Sequence, residues 1–172
     1  MATPVPKGVM GAGALTVLFA PTVADIDAIT VTEATAATTV DLSCLLTTAV
    51  DLGMDHEKVD TNRLCLENAI QNFGRVTFDP QPLITAYDPQ DPVSDVSKAY
   101  ATLTSGLSGV LILRWGLKRD VAIAADQYYD AFEVTFGESS KVPPEEGAEL
   151  TASIPWTVSG DYAKDKQFVA GP

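Results

Sequence analysis

One histidine, two cysteines and eleven basic residues are all that this chain of 172 residues carries of those types. Each shortage excludes something. Eleven Lys and Arg against 23 Asp and Glu leave a formal net charge of −12. So few cations argue against general binding to a nucleic-acid backbone, which needs Lys and Arg to displace phosphate counterions. His56 alone cannot complete a Cys/His zinc set with Cys44 and Cys65, and neither cysteine stands in a CxxC. A nucleophile elbow, a P-loop and a dinucleotide fingerprint are absent. No apolar run approaches the ~20 residues of a membrane-spanning helix.

What remains is ample material for a core. A hydrophobic fraction of 46% with 20% charged residues is that of a globular protein. A domain of this length buries roughly 70% of the surface its unfolded chain exposes, so residues 1–172 are read as a single domain. The acidic surplus has two readings. One is solubility, since acidic surfaces repel one another. The other is a surface that stays near a polyanion without sticking to it.

The stretch "KGVMGAGALTVLFAPTVAD" imitates a secretory signal, with Lys7, an apolar run and a small-residue site at Thr22-Val23-Ala24. The alternation of Leu15, Val17 and Phe19 with Thr16 and Leu18 suits a strand instead, so the segment is expected to stay in the folded chain. Strand signals dominate beyond it. They predict strands over Ala14–Ala20, Val40–Leu46, Glu57–Leu66, Arg75–Phe78, Leu83–Tyr87, Gly109–Leu117, Ala131–Gly137 and Glu149–Val158. In the last, Leu150, Ala152, Ile154 and Trp156 share one face. Phe132, Val134 and Phe136 do the same in "DAFEVTFG". Residues Glu67–Gly74 fit no single element.

One helix is well bounded. Asp91 suits its N-cap, Pro92 its first position and Gly106 the left-handed residue after its end. Val93, Val96, Ala99, Tyr100 and Leu103 form one apolar stripe. A further helical turn is predicted over Thr22–Ala28. The sum is a mainly β fold: a β-sandwich or partial barrel with one flanking α-helix.

Candidate chemistry is thin. His56 in "GMDHEKVD" reads as a solvated side chain. The glycines of "MGAGA" lack the lysine and helix of a phosphate loop. The acid pairs Asp25/Asp27 and Glu145/Glu146 lack EF-hand spacing. Cys44 and Cys65 are either two free thiols or, since both fall in strand-like segments, a disulfide. No catalytic, cofactor-binding or metal-binding residue is assigned. Arg114 in "VLILRWG" interrupts an apolar strand on the face of Val110 and Ile112. It either faces solvent on an edge strand or is covered when a neighbouring subunit arrives and pairs it with a carboxylate. The connections "LTTAVDLGMDHEKVD" and "GESSKVPPEEGAE" are long for a compact β protein. They are either flexible or reach toward neighbours.

The succession "YDPQDPVSDVSKAYATLTSGLSGVLILRWG", with "APTVADIDA", "VDLSC" and "TNRLCLENAIQNFG" before it, resembles the major tail tube proteins of long-tailed, non-contractile bacteriophages. The resemblance spans about residues 20 to 160. One departure is "ITVTEATAATT", which is longer and richer in Thr and Ala than the family pattern. The resemblance implies a β-sandwich with a flanking helix, and hexameric rings that stack into a hollow virion tube for the genome. It further implies assembly in the host cytoplasm, with the chain ends expected to be ordered by neighbouring subunits. Implied partners are further copies, a tape-measure protein, a tail terminator and distal tail proteins. DNA passes without specific binding, and no membrane is involved. Under this reading Asp130, Glu133 and Glu138 are candidates to line the lumen, and Arg114 is the candidate inter-subunit residue. Two rivals remain: another ring-forming tail or secretion-tube component, and a secreted sandwich using Tyr128, Tyr129 and Trp156 as a ligand platform.

Overall fold

The computed structural model describes Gly8 and residues 11–61 and 70–171. Its strands are β1 (Leu15–Ala20), β2 (Val40–Asp41), β3 (Met54–Thr61), β4 (Ile70–Phe78), β5 (Leu83–Ala86), β6 (Ser108–Trp115), β7 (Tyr128–Phe136), β8 (Ser140–Lys141), β9 (Thr151–Ile154) and β10 (Trp156–Gln167). The helices α1 (Val31–Ala34) and α2 (Lys98–Thr102) are short. The fold is mainly β, as the sequence predicts, and is consistent with a β-sandwich.

A five-stranded antiparallel sheet in the order β10-β7-β6-β1-β2 forms the middle layer. Side chains alternate across a strand, and here both faces are buried. Val17, Phe19, Leu111, Leu113, Phe132, Val134 and Phe136 enter a first core with Leu83, Ile154, Trp156, Ala99 and Leu103. Leu18, Ala20, Val110, Ile112, Tyr129 and Ala131 enter a second core with Ile29, Ala34 and Phe168. Burial on both sides explains the near-continuous apolar runs of β1 and β6, interrupted by Thr16 and Arg114. Each large side chain fully removed from water contributes about 1.5–3 kcal/mol. Gly109 allows β6 to approach β1 closely. A Cβ there would lie 2.6 Å from the Phe19 ring and 2.7 Å from the Ala20 carbonyl oxygen.

The sheet β5-β9-β8 covers the first face. The single predicted strand Glu149–Val158 is in fact two. Pro155, which cannot donate to a ladder, separates β9 in the smaller sheet from β10 in the larger one. Predicted strand Val40–Leu46 shortens to two residues and a turn, with Leu46 making one isolated bridge to Thr85.

The predicted helix also shortens. The Asp91 carboxylate accepts from Val93 N at 3.3 Å, closing a turn. Buried Ser97 donates to the Asp91 and Asp88 carbonyls, which fixes residues 88–97 as turns before α2 begins. Ala99 and Leu103 pack in the first core, whereas Val93 is 90% exposed. The turn expected at Thr22–Ala28 is not helical. Helix α1 lies further on, inside the stretch that departs from the family pattern. Thr30 and Glu33 form its capping box: Glu33 N donates to Thr30 Oγ1 at 3.1 Å, and Thr30 N donates to Glu33 Oε2 at 2.9 Å. Tyr129 straps this segment to the second face, its hydroxyl accepting from Ile29 N and donating to Ile26 O. Burial pushes the Tyr129 pKa up.

Candidate assembly surfaces

The hairpin β3–β4 stands apart from both cores. Neither strand pairs with any other among the described residues, so both outer edges carry free backbone groups. Its base is anchored. Phe78 packs edge-on against Phe132 and Tyr162, with ring centroids 6.1 and 5.3 Å away. Gly53 holds φ +51 where a Cβ would strike the Asp79 carbonyl. Beyond the base the ribbon is exposed on both sides. Cross-strand pairs put Lys58 and Phe73 on one face, where the His56 ring meets Phe73 at 5.6 Å. Val59 and Ile70 occupy the other face. Phe73 is 75% exposed. A two-stranded ribbon is marginal alone, so an apolar, two-edged ribbon held out into solvent is suited to meeting another chain. The ambiguous segment Glu67–Gly74 belongs here in its described part; residues 62–69, Cys65 among them, lie outside the described residues, and so does any pairing of Cys44 with Cys65. Cys44 is exposed.

The three acidic candidates do different things. Asp130 and Glu133 stand three apart on β7, a regular strand, and therefore point to opposite faces of the sheet. Each answers an irregularity in β10. Asp161 N, freed where register shifts between Val158 and Tyr162, donates to Glu133 Oε2 at 3.0 Å. Asp165 N, freed at the second shift, donates to Asp130 Oδ1 at 2.8 Å. The other oxygen of Asp130 accepts from Trp115 Nε1 at 2.9 Å. Gly160 makes room, since a Cβ there would meet the Glu133 carboxylate. Glu138 is exposed beyond the end of β7. Beside Glu133 runs a row of hydroxyls across three strands, with Ser108 to Thr135 at 2.8 Å and Thr135 to Ser159 at 2.9 Å.

Arg114 is 1% exposed within the single chain. That corrects the expectation that a neighbour supplies its cover, and β6 lies inside the sheet instead of at its edge. It does share a face with Val110 and Ile112. Its partners are not carboxylates. Nη1 donates to Gln127 Oε1 at 2.8 Å and Ala122 O at 3.3 Å. Nη2 donates to Thr16 Oγ1 at 3.0 Å, Val121 O at 2.8 Å and Lys118 O at 3.2 Å. Nε is buried without a partner. Desolvation lowers its pKa; nearby Asp41, salt-bridged to Arg119 at 3.0 Å, counters this.

An open groove of about 610 Å³ runs beside α2, lined by Leu45, Tyr87, Val96 and Leu150 and rimmed by Asp88, Asp95 and Glu149. The proposed ligand platform does not form: Tyr129 and Trp156 are buried in different cores, and only Tyr128 of the three is exposed. No three His, Cys, Asp or Glu side chains among the described residues are arranged to hold a metal ion. The signals that sequence reading missed were the Thr30-x-x-Glu33 capping pattern and Gly160 within the first irregularity of β10.

Comparison with known proteins agrees with this picture of a scaffold. A family model described as phage tail tube protein matches residues 1–171. No curated protein matches the chain.

Proposed function

The chain belongs to the phage tail tube protein family, and from that premise we propose that it forms hexameric rings which stack into a hollow tail conducting the genome into the host. It is a structural component of the virion tail. The family match over nearly the whole chain carries this reading, and the hairpin supports it. Apart from the hydroxyl row beside Glu133 and much of β10, the faces of the central sheet are covered by the chain itself, so strand edges and protruding segments are the natural places for copies to join. The hairpin offers two such edges and the exposed apolar side chains of Val59, Ile70 and Phe73. One repeated heterologous contact closes a ring by rotation, and a second, axial contact stacks the rings.

The tail is of the non-contractile type, and its subunits assemble in the host cytoplasm. A tape-measure protein sets its length; a terminator and distal tail proteins cap its ends. No reaction is catalysed. The excess of 12 negative charges suits a conduit that repels phosphates, so that DNA slides without adhering. None of the three acidic candidates is salt-bridged among the described residues, and Glu133 sits beside the hydroxyl row of Ser108, Thr135 and Ser159.

Negative-stain microscopy of purified protein tests the reading. Hollow filaments built of six-membered rings are expected. Closed rings that never stack favour a terminator-like role, and a persistent monomer contradicts the proposal. A lumen lined by Lys and Arg would defeat the sliding idea.

A further inference from the structure

Strands β6 and β7 are adjacent and antiparallel, a geometry that two to five residues can connect. Residues 116–127 do so with a far longer excursion. It is not slack. Gly116 at φ +79 and Asp126 at φ +67 turn the chain sharply at either end. Asp126 N donates to Phe168 O at 3.0 Å, and Phe168 N donates to Gln127 O at 3.0 Å. At the centre of the excursion lies the Arg114 guanidinium, on the carbonyls of Lys118, Val121 and Ala122 and the amide of Gln127. Burying a cation is costly unless its donors are satisfied. Here the acceptors come almost wholly from the loop, so cation and loop depend on each other. With the loop open, Arg114 has only Thr16. The outer side of the same loop presents Lys118, Arg119 and a half-exposed Val121 to solvent.

A packed apolar side chain would hold a sheet face at less cost than an unpaired buried charge. What the charge adds is a defined loop shape, through a planar fork that fixes several carbonyls at once. We propose that Arg114 is a positioning residue that locks residues 116–127 in the free subunit in the conformation a neighbouring copy takes up during assembly. The second half of this statement rests on the tube reading. The lock means that the ordering entropy of the loop is spent during folding and not at the interface.

Hydrogen exchange on unassembled subunits, paired with the critical concentration for filament growth by light scattering, tests both halves. Arg114→Lys keeps the charge but cannot span the carbonyls. It should raise exchange across 116–127 at least tenfold, leave β1 and β7 amides unchanged and raise the critical concentration severalfold. Gln127→Ala, which leaves the cation in place, should loosen the loop less and carries the same test should Arg114→Lys fail to fold. Unchanged loop exchange overturns the lock. A freed loop with unaltered assembly overturns its part in the interface. If wild-type protein forms no filaments, the tube reading fails and the neighbour's role with it, while the exchange arm still decides the lock.

Discussion

The β6–β7 pair and the β3–β4 hairpin are both antiparallel, yet they are stabilised in opposite ways. The first lies between two cores, with all its residues but Ser108, Trp115 and Tyr128 buried or half-buried. The second is exposed along almost its whole described length and, among the described residues, touches the core only at Met54 and Phe78. Strand formation in the first is a by-product of burying apolar surface. In the second the ladder exists with little burial behind it, which leaves its apolar side chains and edges free. The contrast separates what folds the subunit from what joins subunits.

Substitutions can break that contrast. Phe19→Ala should have the largest effect, because Phe19 is fully buried over Gly109 and meets Phe136 edge-on at 5.3 Å. A loss of about 3–5 kcal/mol is expected in denaturant unfolding. Phe73→Ser on the hairpin should leave subunit stability within about 0.5 kcal/mol. It should nonetheless raise the critical concentration for filament growth more than tenfold, worth over about 1.4 kcal/mol per contact. Equal effects of both changes on subunit stability would erase the distinction.

Thr30→Ala removes the α1 cap and should cost about 1 kcal/mol, with thermal unfolding as the readout. Glu33 sharpens the same point through pH. Hydrogen bonds from Ala24 N, Thr30 N and the Thr30 hydroxyl hold its carboxyl below the ordinary value. The stability it adds is fully present above the ordinary carboxylate pKa and is lost as pH falls through the lowered one. Glu33→Gln should flatten that part of the stability profile between pH 5 and 3, roughly the carboxylate range. Smallest is Glu133→Gln, which keeps an acceptor for Asp161 N but loses the charge. It should cost no more than about 1 kcal/mol, and the exchange rate of the Asp161 amide reports it.

Legibility in the sequence followed burial. β1, β6 and β7 were readable because their apolar residues repeat with strand spacing, and Phe132, Val134 and Phe136 do share one core. The hairpin was only half visible, since residues such as Lys58, Asp60, Gln71 and Asn72 have no buried face to impose a period. β10 hid because two register shifts scramble its alternation and Pro155 masks its start. Asp91 satisfied every rule for a helix N-cap but closes a turn, because Ser97 captures the backbone carbonyls that a longer helix would have used. Arg114 stood out as an oddity. Its acceptors are backbone carbonyls of a loop folding back on it, which no side-chain pattern announces.

A helical reconstruction of the assembled wild-type protein tests the central claim most directly. The account predicts a hollow tube of stacked rings in which the hairpin strands lie against a neighbouring copy and Phe73 is covered. A tube whose rings meet elsewhere, with the hairpin still bare in solvent, would contradict it.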